Sequence, residues 1–330
     1  MMRIAVDCMG GDHAPAAIIE GCKLALEADA SMTLVLCGIG EKIRPLWPDA
    51  PADRVTWVDC PSVIETGESP TDAIRHKKDS SLIVAMDKVK AGEADAYVSA
   101  GSTGAVMGGA LFHIGRIKGV LRPALAPVLP AMTGPALLID CGANADCKPE
   151  YLVQFAMMGC AYCEKVLGIP SPRVALLNIG AEEEKGNILY KEVHQLLKAT
   201  PGFIGNVEPR EALMGHADVL VADGFAGNMV LKTLEGTAAY VMSIMKDTLL
   251  SGFRSKVGAL LLKPALMGMR KRLDYTEYGG AVLLGVKAPV IKAHGSSNPK
   301  AFAAALKQAG TCAGEDVPGA ITTALEETRA

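Results

Sequence analysis

Short apolar runs alternate with longer amphipathic stretches along most of the chain. MRIAVDC, MTLVLCG, VTWVDC, AYVSAG, ALLIDCG, RVALLNIG and DVLVADG are almost continuously hydrophobic over the length of a strand. A strand with one face in water alternates apolar and polar residues. Runs without that alternation predict strands covered on both faces, as in a parallel sheet. Between them, APAAIIEGCKLALEAD and NILYKEVHQLLKAT repeat apolar residues at helical spacing. Together they predict an α/β fold, a mostly parallel, doubly wound sheet with helices on both faces. The Pro-rich RPALAPVLPAM, residues 122–132, is the candidate boundary between two lobes of a single unit spanning 1–330.

The predicted strands end alike. DCMGGD, SAGSTGA, DCGANADCKPE, NIGAEEEKGN and DGFAGN each put glycine beside Asp, Ser or Asn where a strand gives way to a helix. Turn chemistry accounts for any one of them, since Gly, Asn and Asp suit tight backbone conformations. Ligands of open α/β sheets, however, bind at the carboxyl ends of the strands. Glycine there lets backbone N–H groups approach an anion, and the next helix adds partial positive charge. Five such loops predict one shared anion-binding cleft.

Composition narrows the classes. Half of the 330 residues are hydrophobic and 21% are charged, enough for a sizeable core. A net charge of −3 offers no electrostatic case for nucleic acid. No apolar run reaches the ~18 residues of a membrane span, and MRIAVDCMGGD shows no targeting segment. The expectation is a cytoplasmic protein. Nine cysteines, spread from Cys8 to Cys312, predict reduced thiols rather than a disulfide framework. Cys141, Cys147, Cys160 and Cys163 match no common zinc-ligand spacing. The last two fall in PEYLVQFAMMGCAYCEKVLG, which reads as one helix, so no metal site is expected.

Nucleotide signatures fail. CGIGEKI starts as G-x-G-x-x-G but has Ile43 at the third glycine, and no Gly-Lys pair supplies a P-loop. AGSTG, Ala100 to Gly104, is one residue from the G-x-S-x-G nucleophile elbow, with Asp223 and His294 following in hydrolase order. A Ser102-dependent thioester hydrolase is therefore an alternative. The same Ser102, Thr103 and Gly104 also suit a phosphate cradle.

Taken in order, DCMGGD, SAGSTGA, RPALA, DCGANADCKPE, LLNIGAEEEKGN, FIGNVE, DGFAGNMVLKTLEG, EYGGAVLLGV and HGSSN resemble the bacterial phosphate acyltransferase family. These are the acyl-(acyl carrier protein):phosphate transacylases of phospholipid synthesis. The likeness runs from about residue 3 to NPKAF, around residue 300. It implies an isocitrate/isopropylmalate dehydrogenase-like fold, a homodimer, and a reaction without metal, nucleotide or other cofactor. In that reaction long-chain acyl-acyl carrier protein and inorganic phosphate give acyl phosphate and free carrier protein. The product feeds a membrane glycerol-3-phosphate acyltransferase. Two positions depart from the family pattern. Ser102 stands where an Asn is usual, which weakens it as a nucleophile, and Ala181 replaces the first Glu of an acidic run.

Such a reaction has to bring two anions together and stabilise a tetrahedral oxyanion. The resemblance assigns Asn228 as oxyanion donor, Lys185 as the cation for phosphate or oxyanion, and Asp223 as orienting acid or proton acceptor. Each has a plainer reading: a helix N-cap for Asn228, a solvated lysine for Lys185, a turn acid for Asp223. Ser99, Gly101, Ser102, Thr103 and Gly104 are expected to contact phosphate. Asn144, Asp146 and Lys148 are expected to form a second polar loop lining the cleft. His294 reads as a capping or packing residue, with protonation of the leaving thiolate as the alternative. A non-catalytic acyl-carrier or lipid-binding scaffold is the third function class.

One segment reverses the acidic balance. Residues 246–274 hold seven Lys or Arg against two Asp. Pro264 is comfortable only in a helix's first turn, which predicts a basic amphipathic hairpin with Leu260, Leu261 and Leu262 at its tip. An apolar tip rimmed by cations suits an anionic membrane surface. A dimer interface and the docking of an acidic carrier protein are the competing readings.

Overall fold

The computed structural model describes residues 1–273 and 278–327, without the side chains of 270–273. The strands are β1 (Met2–Asp7), β2 (Met32–Gly38), β3 (Val55–Asp59), β4 (Ala96–Ser99), β5 (Ala124–Ala126), β6 (Val128–Ala131), β7 (Gly134–Ile139), β8 (Val174–Leu177), β9 (Phe203–Val207), β10 (Val219–Val221), β11 (Ala281–Leu284) and β12 (Val290–Lys292). Among the described residues they form two sheets rather than the single one expected, ordered β3-β2-β1-β4-β12-β11-β5 and β6-β7-β10-β8-β9. The seven apolar runs are β1 to β4, β7, β8 and β10, and neighbours among them pair in parallel. Antiparallel pairs join β11 to β12 and β5, and β6 to β7.

The chain changes sheet at Pro127, between β5 and β6. It returns to the first sheet at β11 and β12, and β12 pairs in parallel with β4. Successive strand residues point to opposite faces, and the core follows that alternation. Leu137, Ile139, Val219 and Val221 of the second sheet share one apolar cluster with Ile4, Val6, Val98 and Ile291 of the first. Helices Ala16–Ala28, Pro149–Tyr162 and Pro299–Gly314 fill it through Ile18, Phe155 and Phe302. The intervening residues face separate clusters, Ala5, Val35 and Tyr97 on the first sheet and Leu138, Leu220 and Ala222 on the second. Each fully buried Leu or Ile contributes ~1.5–3 kcal/mol, so the shared cluster welds the two sheets together.

Between β10 and β11 the chain makes a long hairpin of two helices, Gly224–Leu250 and Phe253–Leu273. Its turn is Ser251-Gly252. The Ser251 hydroxyl donates to the Thr248 carbonyl at 2.8 Å, and a new helical bond starts from the Lys256 N–H to the Gly252 carbonyl. The expectation of a tip at Leu260–Leu262 is thereby corrected: Ser and Gly break the helix earlier, and Pro264 sits inside the second arm. Nor does that arm gather its apolar residues on one face. Leu260, Leu261 and Leu262 stand 71%, 77% and 53% exposed along it. Among the described residues no helix is long and apolar enough to cross a membrane.

Candidate active site

Two buried aspartates end central strands and hold the loops above them. Asp7, at the end of β1, accepts the hydroxyls of Ser81 at 2.6 Å and Ser99 at 2.7 Å and the N–H of Met9 at 3.2 Å. Asp140 follows β7 and accepts the N–H groups of Leu125 at 2.8 Å, Ala143 at 3.2 Å and Asn144 at 2.7 Å, with the Asn144 amide at 3.1 Å. Burial pushes both carboxyl groups above the usual range, and these hydrogen bonds pull the other way. Both carboxyls act as loop clamps.

The glycines of these loops are explained by the same packing. A Cβ on Gly10 would lie 2.6 Å from both the Asp7 carboxylate and the Gly101 nitrogen, so the β1 and β4 loops touch through bare backbone. A Cβ on Gly224 would lie 2.6 Å from the Asn144 carbonyl. Gly224 donates its N–H to that same oxygen at 2.7 Å. The first turn of the long helix is thus seated on the Asp140–Asn144 loop.

Asp223 is the N-cap of that helix: Oδ1 accepts from the Ala226 N–H at 2.7 Å and Oδ2 from the Tyr190 hydroxyl at 3.0 Å. Asn228 lies one turn in, past the capping position, beside Gly142. Its amide faces a cavity of about 320 Å³ between the two sheets. Thr103 and Lys292 line this cavity from the first sheet, Cys141 and Gly142 from the second, and Leu231 and Lys232 from the long helix. A larger cavity of about 740 Å³, on helix Pro149–Tyr162 and the C-terminal helices, holds none of the strand-end loops.

The predicted residues therefore divide. Asn228 and Thr103 meet in the cavity. Ser102 precedes the helix Thr103–Gly109 without capping it through its side chain. Gly101 and Gly104 are packing positions, the latter within 2.7 Å of Pro70 once a Cβ is added. Ser99 is buried, its hydroxyl spent on Asp7 and on the Gly101 N–H at 2.9 Å. The Asn144 amide is likewise spent, on Asp140 and on the Pro123 carbonyl at 2.8 Å. Asp146 and Lys148 are exposed, as is Lys185, whose carbonyl accepts from the Asn178 amide at 3.1 Å. The five glycine loops thus do not converge on one cleft; the cavity takes residues from three of them.

No hydrolase triad assembles. His294 Nδ1 engages Ser296, through Oγ at 2.8 Å and the backbone N–H at 3.2 Å, rather than a carboxylate. Asp223 serves Tyr190 and Ala226. His294 caps its own turn through the Ser296 N–H, while Asn298 caps the next helix and the imidazole stands exposed toward the cavity. The thiols of Cys141, Cys147 and Cys163 each donate to a separate backbone carbonyl, those of Leu138, Asn144 and Asp218.

Lys292, not singled out by sequence reasoning, ends β12 beside Ser99. It is buried at 9% exposure, and its ammonium donates to the carbonyls of Ala293 and Ala100. Burial, then the neighbouring Lys232, lower its pKa to about 8. The sequence signal was a lysine closing an otherwise apolar strand, VIK. Lys232 forms an ion pair with Glu235 at 2.7 Å on the opposite wall.

The chain matches the model of a family described as fatty acid synthesis protein over residues 2–319. It is 52% identical over 322 residues to a phosphate acyltransferase of Bacillus pumilus, covering 97% of this chain and 96% of that protein. With a phosphate acyltransferase of Clostridium acetobutylicum the identity is 49%, over 99% of each. The chain belongs to the phosphate acyltransferase family. Solved structures extend the likeness of fold at low identity. A phosphotransacetylase from Streptococcus pyogenes superposes with a TM-score of 0.63 at 18% identity, over 95% of this chain and 94% of that one. A branched-chain phosphotransacylase from Enterococcus faecalis gives 0.58 at 17%, over 95% and 99%. A putative 4-hydroxythreonine-4-phosphate dehydrogenase from Salmonella typhimurium gives 0.51 at 15%, over 94% and 99%. With these structures the likeness of this phosphate acyltransferase family member is one of fold.

Proposed function

We propose that this chain transfers a long-chain acyl group from the thioester of acyl-acyl carrier protein to inorganic phosphate in phospholipid synthesis. What carries the reading is identity of about half to phosphate acyltransferases over nearly the whole chain. The cleft supports it, with apolar Leu125 and Leu231 on its walls and cationic and amide groups among them. A phosphate oxygen attacks the thioester carbonyl, the carbonyl oxygen takes up negative charge, the C–S bond breaks, and the thiolate leaves and collects a proton. Asn228 is the oxyanion donor, a type of contact that supplies ~2.7–4 kcal/mol. Asp223 acts through the helix it caps, as a positioning residue. Lys185, exposed after β8, meets the anionic substrate outside the cavity.

Several finer points belong to the same reading. The fold falls with the isocitrate/isopropylmalate dehydrogenases, which the likeness to a phosphate-substrate dehydrogenase supports. The unit divides into two lobes near 122–132 and works in the cytoplasm as a homodimer. Its exposed basic hairpin meets an anionic membrane surface, where a membrane glycerol-3-phosphate acyltransferase takes the product.

Incubation with palmitoyl-acyl carrier protein, with and without phosphate, tests the reading. Phosphate-dependent thiol release and an acyl phosphate product are expected. Release independent of phosphate would indicate a thioester hydrolase, and no release a binding scaffold.

A further inference from the structure

We propose that the anion subsite of the cleft is built at the end of β12, by the Lys292 ammonium and the Nε2–H of His294, with the Thr103 side of the β4 loop opposite. This rests on the acyltransferase reading only for the identity of the anion, inorganic phosphate. Of the groups expected from sequence, the Ser99 hydroxyl is engaged on Asp7 and Gly101, and the Asn144 amide of the second polar loop on Asp140 and Pro123.

Lys292 has the opposite character. Among the described residues it forms no ion pair, and its two hydrogen-bond acceptors are neutral carbonyls. A buried cation with no ion-pair partner is unfavourable, and an ammonium has three N–H groups. One donor and one charge remain for a ligand in the cavity that Lys292 lines.

His294 supplies a second donor. The Ser296 N–H donates to Nδ1, so Nδ1 is an acceptor and the ring proton sits on Nε2. Burial holds the imidazole pKa below its ordinary value, and Lys232 and Lys292 lower it further while Glu235 and Asp12 act against them. The ring is therefore neutral at neutral pH, a hydrogen-bond donor that does not repel the adjacent lysine. The other charged groups near Lys292 are Asp7 and Asp12 from the β1 loop and Lys232 from the long helix. Asp7 holds Met9, Ser81 and Ser99 and Asp12 is exposed on the β1 loop, neither in an ion pair with Lys292, and Lys232 is paired with Glu235. Lys292 is left as the cation available to an anion.

The test uses the whole protein and inorganic phosphate alone, by calorimetry, without acyl substrate. The wild type is expected to bind phosphate, with affinity falling as pH rises through about 8, where Lys292 loses its proton. Lys292→Met is expected to weaken binding by about tenfold or more, the scale of a lost charged hydrogen bond. Lys292→Arg is expected to keep binding and abolish the break near pH 8, since a guanidinium stays charged. In turnover assays the loss should appear in the KM for phosphate and not in the KM for acyl-carrier protein. Wild-type phosphate affinity in Lys292→Met, an unchanged pH break in Lys292→Arg, or no phosphate binding by the wild type would each overturn the subsite. Phosphate binding through Lys292 without acyl transfer would leave the subsite standing and remove the acyltransferase reading.

Discussion

Gly227 lies so close against Asp140 that a Cβ on it would stand 1.9 Å from the Asp140 carbonyl oxygen. That contact fixes the depth at which the long helix enters the cleft, and hence where Asn228, the next residue, presents its amide. Gly227→Ala should force the helix outward, costing ~1–3 kcal/mol of stability as overpacking does and lowering turnover as well. Gly236→Ala is the control, on the same helix with nothing within 4 Å of the added methyl. It should be neutral or stabilise by up to ~1 kcal/mol through helix propensity. Thermal unfolding of the two variants beside the wild type checks the contrast.

The capping geometry of Asp223 separates positioning from proton transfer. Asp223→Asn keeps a side-chain oxygen for the Ala226 N–H, so stability and turnover should stay near wild type. Asp223→Ala removes the cap and should cost ~0.5–2 kcal/mol. A collapse of turnover in Asp223→Asn, with the fold intact, would return this residue to the proton chemistry.

Asn228→Ala should lower kcat by about 10²–10³, the loss typical of one oxyanion donor, with little change in stability. Lys185→Ala is expected to raise KM for the acyl-carrier substrate more than it lowers kcat, because Lys185 is exposed and outside the cavity. Steady-state kinetics on both variants distinguish the roles, and a pure kcat effect in Lys185→Ala would place its ammonium on the reacting atoms.

Replacing Leu260, Leu261 and Leu262 together with Glu should abolish binding to anionic vesicles while sparing turnover on soluble acyl-carrier protein. Wild-type binding should weaken with added salt, because the basic residues act through a screened field. Sedimentation with vesicles reads the first effect. Conversion to monomers or aggregates would instead assign these leucines to a protein interface.

Much of the architecture could be read from the chain because the parallel strands are apolar on both faces. β5, β6, β9, β11 and β12 escaped notice: β5 and β6 lie in the Pro-rich 122–132, β9 carries Gly205 and Asn206 mid-strand, and β11 and β12 are three or four residues long beside turns. The division into two sheets was invisible for the same reason, since Pro127 is the only residue between β5 and β6. In the site, Asn228 and Thr103 were legible as polar groups at strand ends, whereas the engagement of Ser99 and Asn144 was not. Ser99 suits phosphate and Asn144 a polar cleft wall by type and position, and only the buried partners Asp7 and Asp140 show that their side chains are engaged. Lys292 was missed because a lysine ending a strand looks like a solvated one, and the β4 neighbours Ser99 and Ala100 beside which it is buried are far away in sequence.

The hairpin leaves the second sheet after β10 and rejoins the first at β11, so its roots stand on opposite walls of the cleft. A bucket's handle is fixed to both rims in the same way. Along the chain the hairpin therefore links the helix turn that carries Asn228 to the strands that carry Lys292. The helices that stand exposed outside the core are thereby continuous, along the chain, with both walls of the cleft.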